Sequence, residues 1–129
     1  MRLLLDTHIF IWACVEPRRL SGAEREAISS SDNDVFVSAA SAWEIAIKRT
    51  LGRLEFPVER FEEFVAAMSF EPLPMMSTHA IAAGGLPRHH DDPFDRMLIA
   101  QTKVEGATIV TQDRKFSMYD VSIFGTSGK

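Results

Sequence analysis

A chain of 129 residues, 46% apolar and 25% charged, has the size and balance of one globular domain. Its single cysteine, Cys14, excludes an intrachain disulfide and fits a reducing cytoplasm. The formal charge of −4 does not mark a nucleic-acid binder, no apolar run is long enough for a membrane span, and Met1-Arg2 with three leucines before Asp6 does not resemble a signal peptide.

The chain opens with Arg2-Leu3-Leu4-Leu5, an apolar run that predicts a buried strand ending at Asp6. A short helix follows over Ile9 to Ala13, which Pro17 ends. Ser21 and Glu24 have the spacing of a capping box and predict a second helix to about Ser30. After a turn at Ser31 to Asp34, Val35-Phe36-Val37 reads as a second buried strand. Ser38 opens a helix over about 39–50, with Trp43, Ala46 and Ile47 expected inward and a stop at Gly52. Pro57 begins a helix over about 58–68 with Phe61, Phe64, Val65 and Met68 on one face. The two prolines make Phe70 to Pro74 extended, and Ser77 is expected to cap a short helix that fades at Gly84-Gly85. A polar loop from Leu86 to Asp91 carries His89 and His90.

The most informative stretch follows. Asp92 reads as an N-cap, Pro93 as the first helical residue, and Asp95 falls three positions after the cap. Phe94, Met97, Leu98 and Val104 define the buried face of this helix over about 92–105, with Gln101 expected to make a buried hydrogen bond. Thr108 to Thr111 is a strand leading to Gln112-Asp113, and Val121 to Phe124 is a last strand before a Gly/Ser tail from about residue 125.

Strands alternating with helices imply an α/β fold, a short and mostly parallel central sheet with helices on both faces. Ligands of such sheets gather beyond the carboxyl ends of the strands. Asp6 follows the first strand, Glu44 lies one to two turns into the helix after the second, and Asp113 follows the strand at 108–111. Asp95 comes from the helix before that strand and is expected at the same edge. Four converging carboxylates repel one another unless a cation sits among them, and all-oxygen donors suit Mg²⁺ or Mn²⁺.

Blander roles stand beside these. Asp6 and Asp92 suit helix caps, Asp113 a turn, and Glu44 a capping box with Ser41 or an i+4 pair with Lys48. His89-His90-Asp91-Asp92 has metal-ligand composition, but adjacent residues rarely reach one ion, so a solvated loop is expected. Cys14 lies in an apolar helix and reads as core. There is no Gly-x-Ser-x-Gly elbow and no phosphate loop with its lysine.

Leu4-Leu5-Asp6-Thr7-His8, the run Ser38 to Lys48 with Trp43-Glu44 at its centre, Asp92-Pro93-Phe94-Asp95-Arg96 with Leu98-Ile99-Ala100-Gln101, and Thr111-Gln112-Asp113 together resemble PIN-domain ribonucleases. The resemblance is closer to the VapC-type toxins of bacterial type II toxin–antitoxin systems, and it covers nearly the whole chain. It implies a single PIN-like three-layer α/β/α domain over 1–129 and an endoribonuclease dependent on Mg²⁺ or Mn²⁺. Asp6, Glu44, Asp95 and Asp113 would be the catalytic and metal-binding acids, supported by Thr7, Thr111 and Asp92. The expected chemistry is hydrolysis by a metal-activated water, leaving a 5′-phosphate and a 3′-hydroxyl. The resemblance also implies a homodimer, a structured RNA substrate such as tRNA or rRNA, and a VapB-type antitoxin that inserts a peptide into the acidic groove. Lys48, Arg49, Arg53, Arg88, Arg96, Arg114 and Lys115 flank the motifs and are candidates for phosphate contacts.

Three other readings fit the residues less well, the last because the chain keeps all four acids. A haloacid-dehalogenase-like phosphatase wants a second aspartate two residues after the first, where this chain has His8, and a receiver domain wants an acidic pair at the first strand. A non-catalytic module would bind a partner through the Phe- and Met-rich segment around 58–76.

Overall fold

The computed structural model describes residues 1–125. The expected Gly/Ser tail therefore lies almost wholly outside the described residues. In chain order the elements are β1 (Arg2–Leu5), α1 (Thr7–Val15), α2 (Gly22–Ser29), β2 (Asp34–Ser38), α3 (Ala39–Thr50), α4 (Phe61–Ala67), β3 (Glu71–Leu73), α5 (Ser77–Gly84), α6 (Pro93–Val104) and β4 (Thr108–Val110). Short 3-10 turns at Pro17–Arg19, Val58–Arg60 and Arg114–Met118 complete the chain path.

The four strands form one parallel sheet in the order β3-β2-β1-β4. Side chains alternate across a strand, and the three leucines of β1 fill both sides of the sheet. Leu3 and Leu5 join Ile9, Phe10, Val35, Val37, Ile45 and Val110 in one core. Leu4 joins Ala40, Leu98, Ile99, Ile109 and Phe116 in the other. A central strand buried on both faces has no room for polar residues, which is why β1 reads as a continuous apolar run. Phe10 anchors the first core, its ring within 5.0–6.2 Å of Phe61, Phe56 and Phe70.

Local chemistry sets the helix ends. The Ser21–Glu24 capping box is formed in both directions. Gly52, with φ of 72°, takes the left-handed turn that stops α3, while Arg53 N–H reaches back to the Lys48 carbonyl at 2.9 Å.

Several expectations need correction. Trp43 and Ile47 do not face inward: Trp43 is 48% exposed, and α3 buries Ala40, Ser41, Glu44 and Ile45 instead. Apolar periodicity misses this face because Ser41 and Glu44 share it with Ala40 and Ile45, Glu44 being held there by its bond from Thr7. Val104 lies off the buried face of α6 at 46% exposure, and Met68 lies beyond α4 and is exposed. Residues 58–60 form a 3-10 turn ahead of α4.

Ser77 is the first residue of α5, not its cap. The cap position is Met76, whose N–H donates to His79 Nδ1 at 3.0 Å. The extended 71–73 segment is a true strand on the sheet edge, where Pro72 leaves no interior ladder bond unmade. The expected last strand at 121–124 reduces to one parallel bridge between Ile109 and Ile123. Gln101 is buried as expected, its amide nitrogen donating to Pro74 O at 3.2 Å and lying 3.3 Å from His79 Nδ1.

Candidate active site

The carboxyl ends of β1, β2 and β4 and the N-terminus of α6 share one edge of the sheet, and the acids come from there. Asp6 is the N-cap of α1, with Oδ1 accepting from Ile9 N–H at 2.8 Å. Its Oδ2 accepts from the Thr111 hydroxyl, which follows β4. Glu44 is 3% exposed. Its Oε1 accepts from Thr7 Oγ1 at 2.6 Å, and its Oε2 takes an ion pair from Lys48 one turn along the helix. Ser41 Oγ lies 2.9 Å from the same Thr7 hydroxyl.

Asp92 caps α6, accepting from Phe94 N–H and Asp95 N–H at 2.9 and 3.0 Å. That geometry sets Asp95 in the first helical turn, where the helix dipole favours negative charge. Asp113 is exposed and caps the 3-10 turn that follows, its Oδ1 accepting from Lys115 N–H at 2.9 Å. Its own N–H donates to the Thr111 hydroxyl at 3.0 Å.

Electrostatics tie the four acids together. Burial pushes Asp6 up to about 6, and repulsion from Asp113 and Glu44 adds to it against the opposing bonds from Thr111 and Ile9. Asp95 is also pushed up to about 6, first by burial, then by Asp92, Glu44 and Asp113. Burial works against the charge on Lys48. The bond and attraction of Glu44, with Asp92 and Asp95 behind it, win and hold Lys48 above its ordinary value.

An acidic group that raises its own proton affinity and draws in a lysine behaves as a cation site by its chemistry. Its donors are all hard oxygens, which suits Mg²⁺ or Mn²⁺. Among the described residues, no three His, Cys, Asp or Glu side chains are grouped closely enough to hold an ion as they stand. Lys48 instead supplies the counter-charge at Glu44.

The cationic candidates divide sharply. Lys48 is engaged by Glu44, Arg49 pairs with Glu59, and Arg88 with Asp91 at 3.2 Å. Arg96 faces inward: it donates to the carbonyls of Pro87, Ala83 and Leu86 at 2.8–3.1 Å. Arg53, Arg114 and Lys115 are exposed and make no ion pair among the described residues. Burial pushes the Cys14 thiol up to about 12, which makes it a poor nucleophile.

The histidine loop departs from expectation. His90 is not solvated: its side chain is 13% exposed, with Nδ1 at 2.7 Å from Tyr119 Oη and Nε2 at 3.3 Å from Asp95 Oδ2. Tyr119 was invisible as a site residue because 29 positions separate it from its partner His90. Only the adjacency of His90 to the Asp92-Pro93-Phe94-Asp95 run hinted at the contact.

A parallel α/β domain with an acidic cluster at its strand ends and the N-terminus of a late helix is the class that this geometry defines. The PIN domain family matches residues 3–121, and the chain belongs to that family. It is 31% identical over 120 residues to Ribonuclease VapC22 of Mycobacterium tuberculosis, an alignment that spans 88% of each chain. Among solved structures, VapBC2 from Rickettsia felis bound to a DNA fragment from their promoter aligns over 95% of this chain and 96% of that one, with TM-score 0.69 and 16% identity. FitAcB from Neisseria gonorrhoeae aligns over 95% and 96%, with TM-score 0.63 and 24% identity. These structural likenesses speak for the fold.

Proposed function

We propose that this chain is a divalent-metal-dependent endoribonuclease, the toxin of a VapBC-type pair, that cuts structured RNA such as tRNA or rRNA. The observation that carries the reading is the electrostatic coupling of Asp6, Glu44, Asp95 and Asp113 at one sheet edge, with two of them raised to about 6. The 31% identity to a protein named a ribonuclease supports it. When bound, Mg²⁺ or Mn²⁺ would activate a water and offset the charge of the phosphodiester. Asp6, Glu44 and Asp95 would hold the ion, with Asp113 assisting from the exposed rim.

The remaining work falls to the chain itself. Thr111 fixes one Asp6 oxygen and Thr7 one Glu44 oxygen, so the acids are oriented before substrate arrives. Lys48 pairs with the other Glu44 oxygen from one turn along the helix. Arg114 and Lys115 stand beside Asp113 and make no ion pair among the described residues, and these are the residues we assign to RNA phosphates. An apolar groove of about 650 Å³ between α3, α4 and β3, lined by Phe61, Val65, Phe70 and Pro72 among others, offers a seat for apolar side chains of an antitoxin. VapBC complexes with the same fold support such a partner.

The test is cleavage of total RNA by the purified, partner-free protein, with Mg²⁺ or Mn²⁺ against chelator. Cuts at discrete sites should need metal and fall at least about a hundredfold in Asp6→Asn and Asp95→Asn, beyond what loss of an outer-shell partner costs. Products ending in a 2′,3′-cyclic phosphate, or cutting that survives both substitutions, would sink the reading. Turnover of a small phosphate ester without RNA cleavage would favour a phosphatase.

A further inference from the structure

Each of the three less exposed acids is held by a donor from another segment. Thr7 of α1 holds Glu44, and Thr111 after β4 holds Asp6. Among the described residues, no hydroxyl does the same for Asp95. The group facing it is the His90 ring, with Nε2 3.3 Å from Oδ2.

The direction of that contact follows from Tyr119, which is 6% exposed. Its phenol oxygen accepts from the His90 backbone N–H at 3.3 Å and from Arg96 Nη1 at 3.4 Å. Both of its lone pairs are then engaged, and its own hydrogen must find an acceptor. The near one is His90 Nδ1, at 2.7 Å. A neutral imidazole carries one ring hydrogen, so a ring that accepts at Nδ1 carries it on Nε2. That nitrogen is the one turned to Asp95.

Arg96 completes the arrangement from below. Its guanidinium binds three carbonyls of the 83–87 segment and reaches Tyr119 as well, tying the histidine loop to α6. His89 also packs edge-on against the tyrosine ring, with centroids 4.8 Å apart, and adds to the packing that holds the phenol.

We propose that His90 is a positioning residue for the cation site: Tyr119 sets its tautomer, and its Nε2–H holds one oxygen of Asp95 so that the other faces the acidic cluster. The proposal rests on reading Asp95 as a metal-binding carboxylate. It assigns to this chain a histidine–tyrosine pair doing for the third acid what Thr7 and Thr111 do for the other two.

The test has two independent readouts on the full-length protein. In the metal-free protein, long-range ¹H–¹⁵N correlation spectra should place the His90 ring proton on Nε2. Tyr119→Phe, which keeps the ring but removes the hydroxyl, should move it toward Nδ1. In calorimetric titration with Mn²⁺, His90→Ala should bind about tenfold more weakly, the lower end of what an outer-shell partner costs. His90→Gln, whose amide nitrogen reaches where Nε2 lies, should restore most of the loss, and Tyr119→Phe should bind several-fold more weakly. A wild-type ring proton on Nδ1, a tautomer unmoved in Tyr119→Phe, or His90→Ala affinity equal to wild type overturns the proposal. Wild-type protein that binds no Mn²⁺, or whose binding survives Asp95→Asn, overturns the reading of Asp95 beneath it, and the tautomer then shows whether the hydrogen-bond chain itself was read correctly.

Discussion

Asp6 uses its two oxygens for two ends: one caps α1 and the other meets Thr111, so fold and site share one side chain. Burial and like charge raise both Asp6 and Asp95 to about 6, against an unfolded carboxylate near 3.9. The sign follows from the proton count. A raised pKa means that the folded state holds these protons more tightly than the unfolded chain. Their contribution to stability is therefore full below about pH 4 and is lost as pH climbs through about 6. Urea denaturation with chelator present should show this contribution falling over that window, with a shallower fall in Asp6→Asn. Mn²⁺ affinity should run the opposite way, rising with pH to about 6 and then levelling, because protons and metal compete for the same oxygens. A metal affinity that is flat over that range would contradict the assignment of these two acids.

At the scale of elements, what the sequence made legible was whatever rests on neighbours in the chain. The Ser21–Glu24 box, the Asp92-Pro93 start of α6 and the Gly52 stop of α3 depend on spacings of a few residues, and all three are present. The inward face of α3 was misread because Glu44 is buried through Thr7, 37 residues away, which no periodicity reveals. The edge strand β3 was read only as extended, since two prolines obscure a three-residue strand whose evidence is its pairing with β2. Arg96, expected among the phosphate contacts, turns instead to carbonyls of α5 and the loop after it, partners that no local pattern reveals. This separates two arginines that look alike in sequence. Arg114→Ala should leave the denaturation midpoint unchanged, weaken RNA binding, and lower the salt slope by about one unit. Arg96→Ala should instead destabilise by roughly 1–3 kcal/mol, the cost of stranding partly buried polar groups. Equal effects of the two on RNA binding, without a stability difference, would refute the division.

For the whole molecule, the alternation of apolar strands and helices was enough to give a parallel sheet with two cores, because β1 must bury Leu3, Leu4 and Leu5 in opposite directions. The order β3-β2-β1-β4 then explains why acids spread from position 6 to position 113 meet at one edge. The site's electrostatic cost is a property of that topology, arising only when distant strands pair. A cation that binds only the folded chain offsets this cost by mass action, by about 2.7 kcal/mol at a hundredfold excess over its Kd.

The Lys48–Glu44 pair lies within a single helix, one turn apart, whereas Asp6 and Asp95 reach Glu44, and Asp113 reaches those two aspartates, only across the fold. Neutralisation of Glu44 is thus available as soon as α3 forms, early and locally. Repulsion among the remaining acids develops only as the sheet closes, late and through long-range contacts. Folding speed should then be nearly independent of Mg²⁺, while the rate of unfolding should fall as the ion is added, since the ion has a binding place only after closure. Stopped-flow chevrons with and without Mg²⁺ read this directly: an unfolding limb that drops while the refolding limb stays in place. The chain would then assemble without its ion and use the ion to stay assembled.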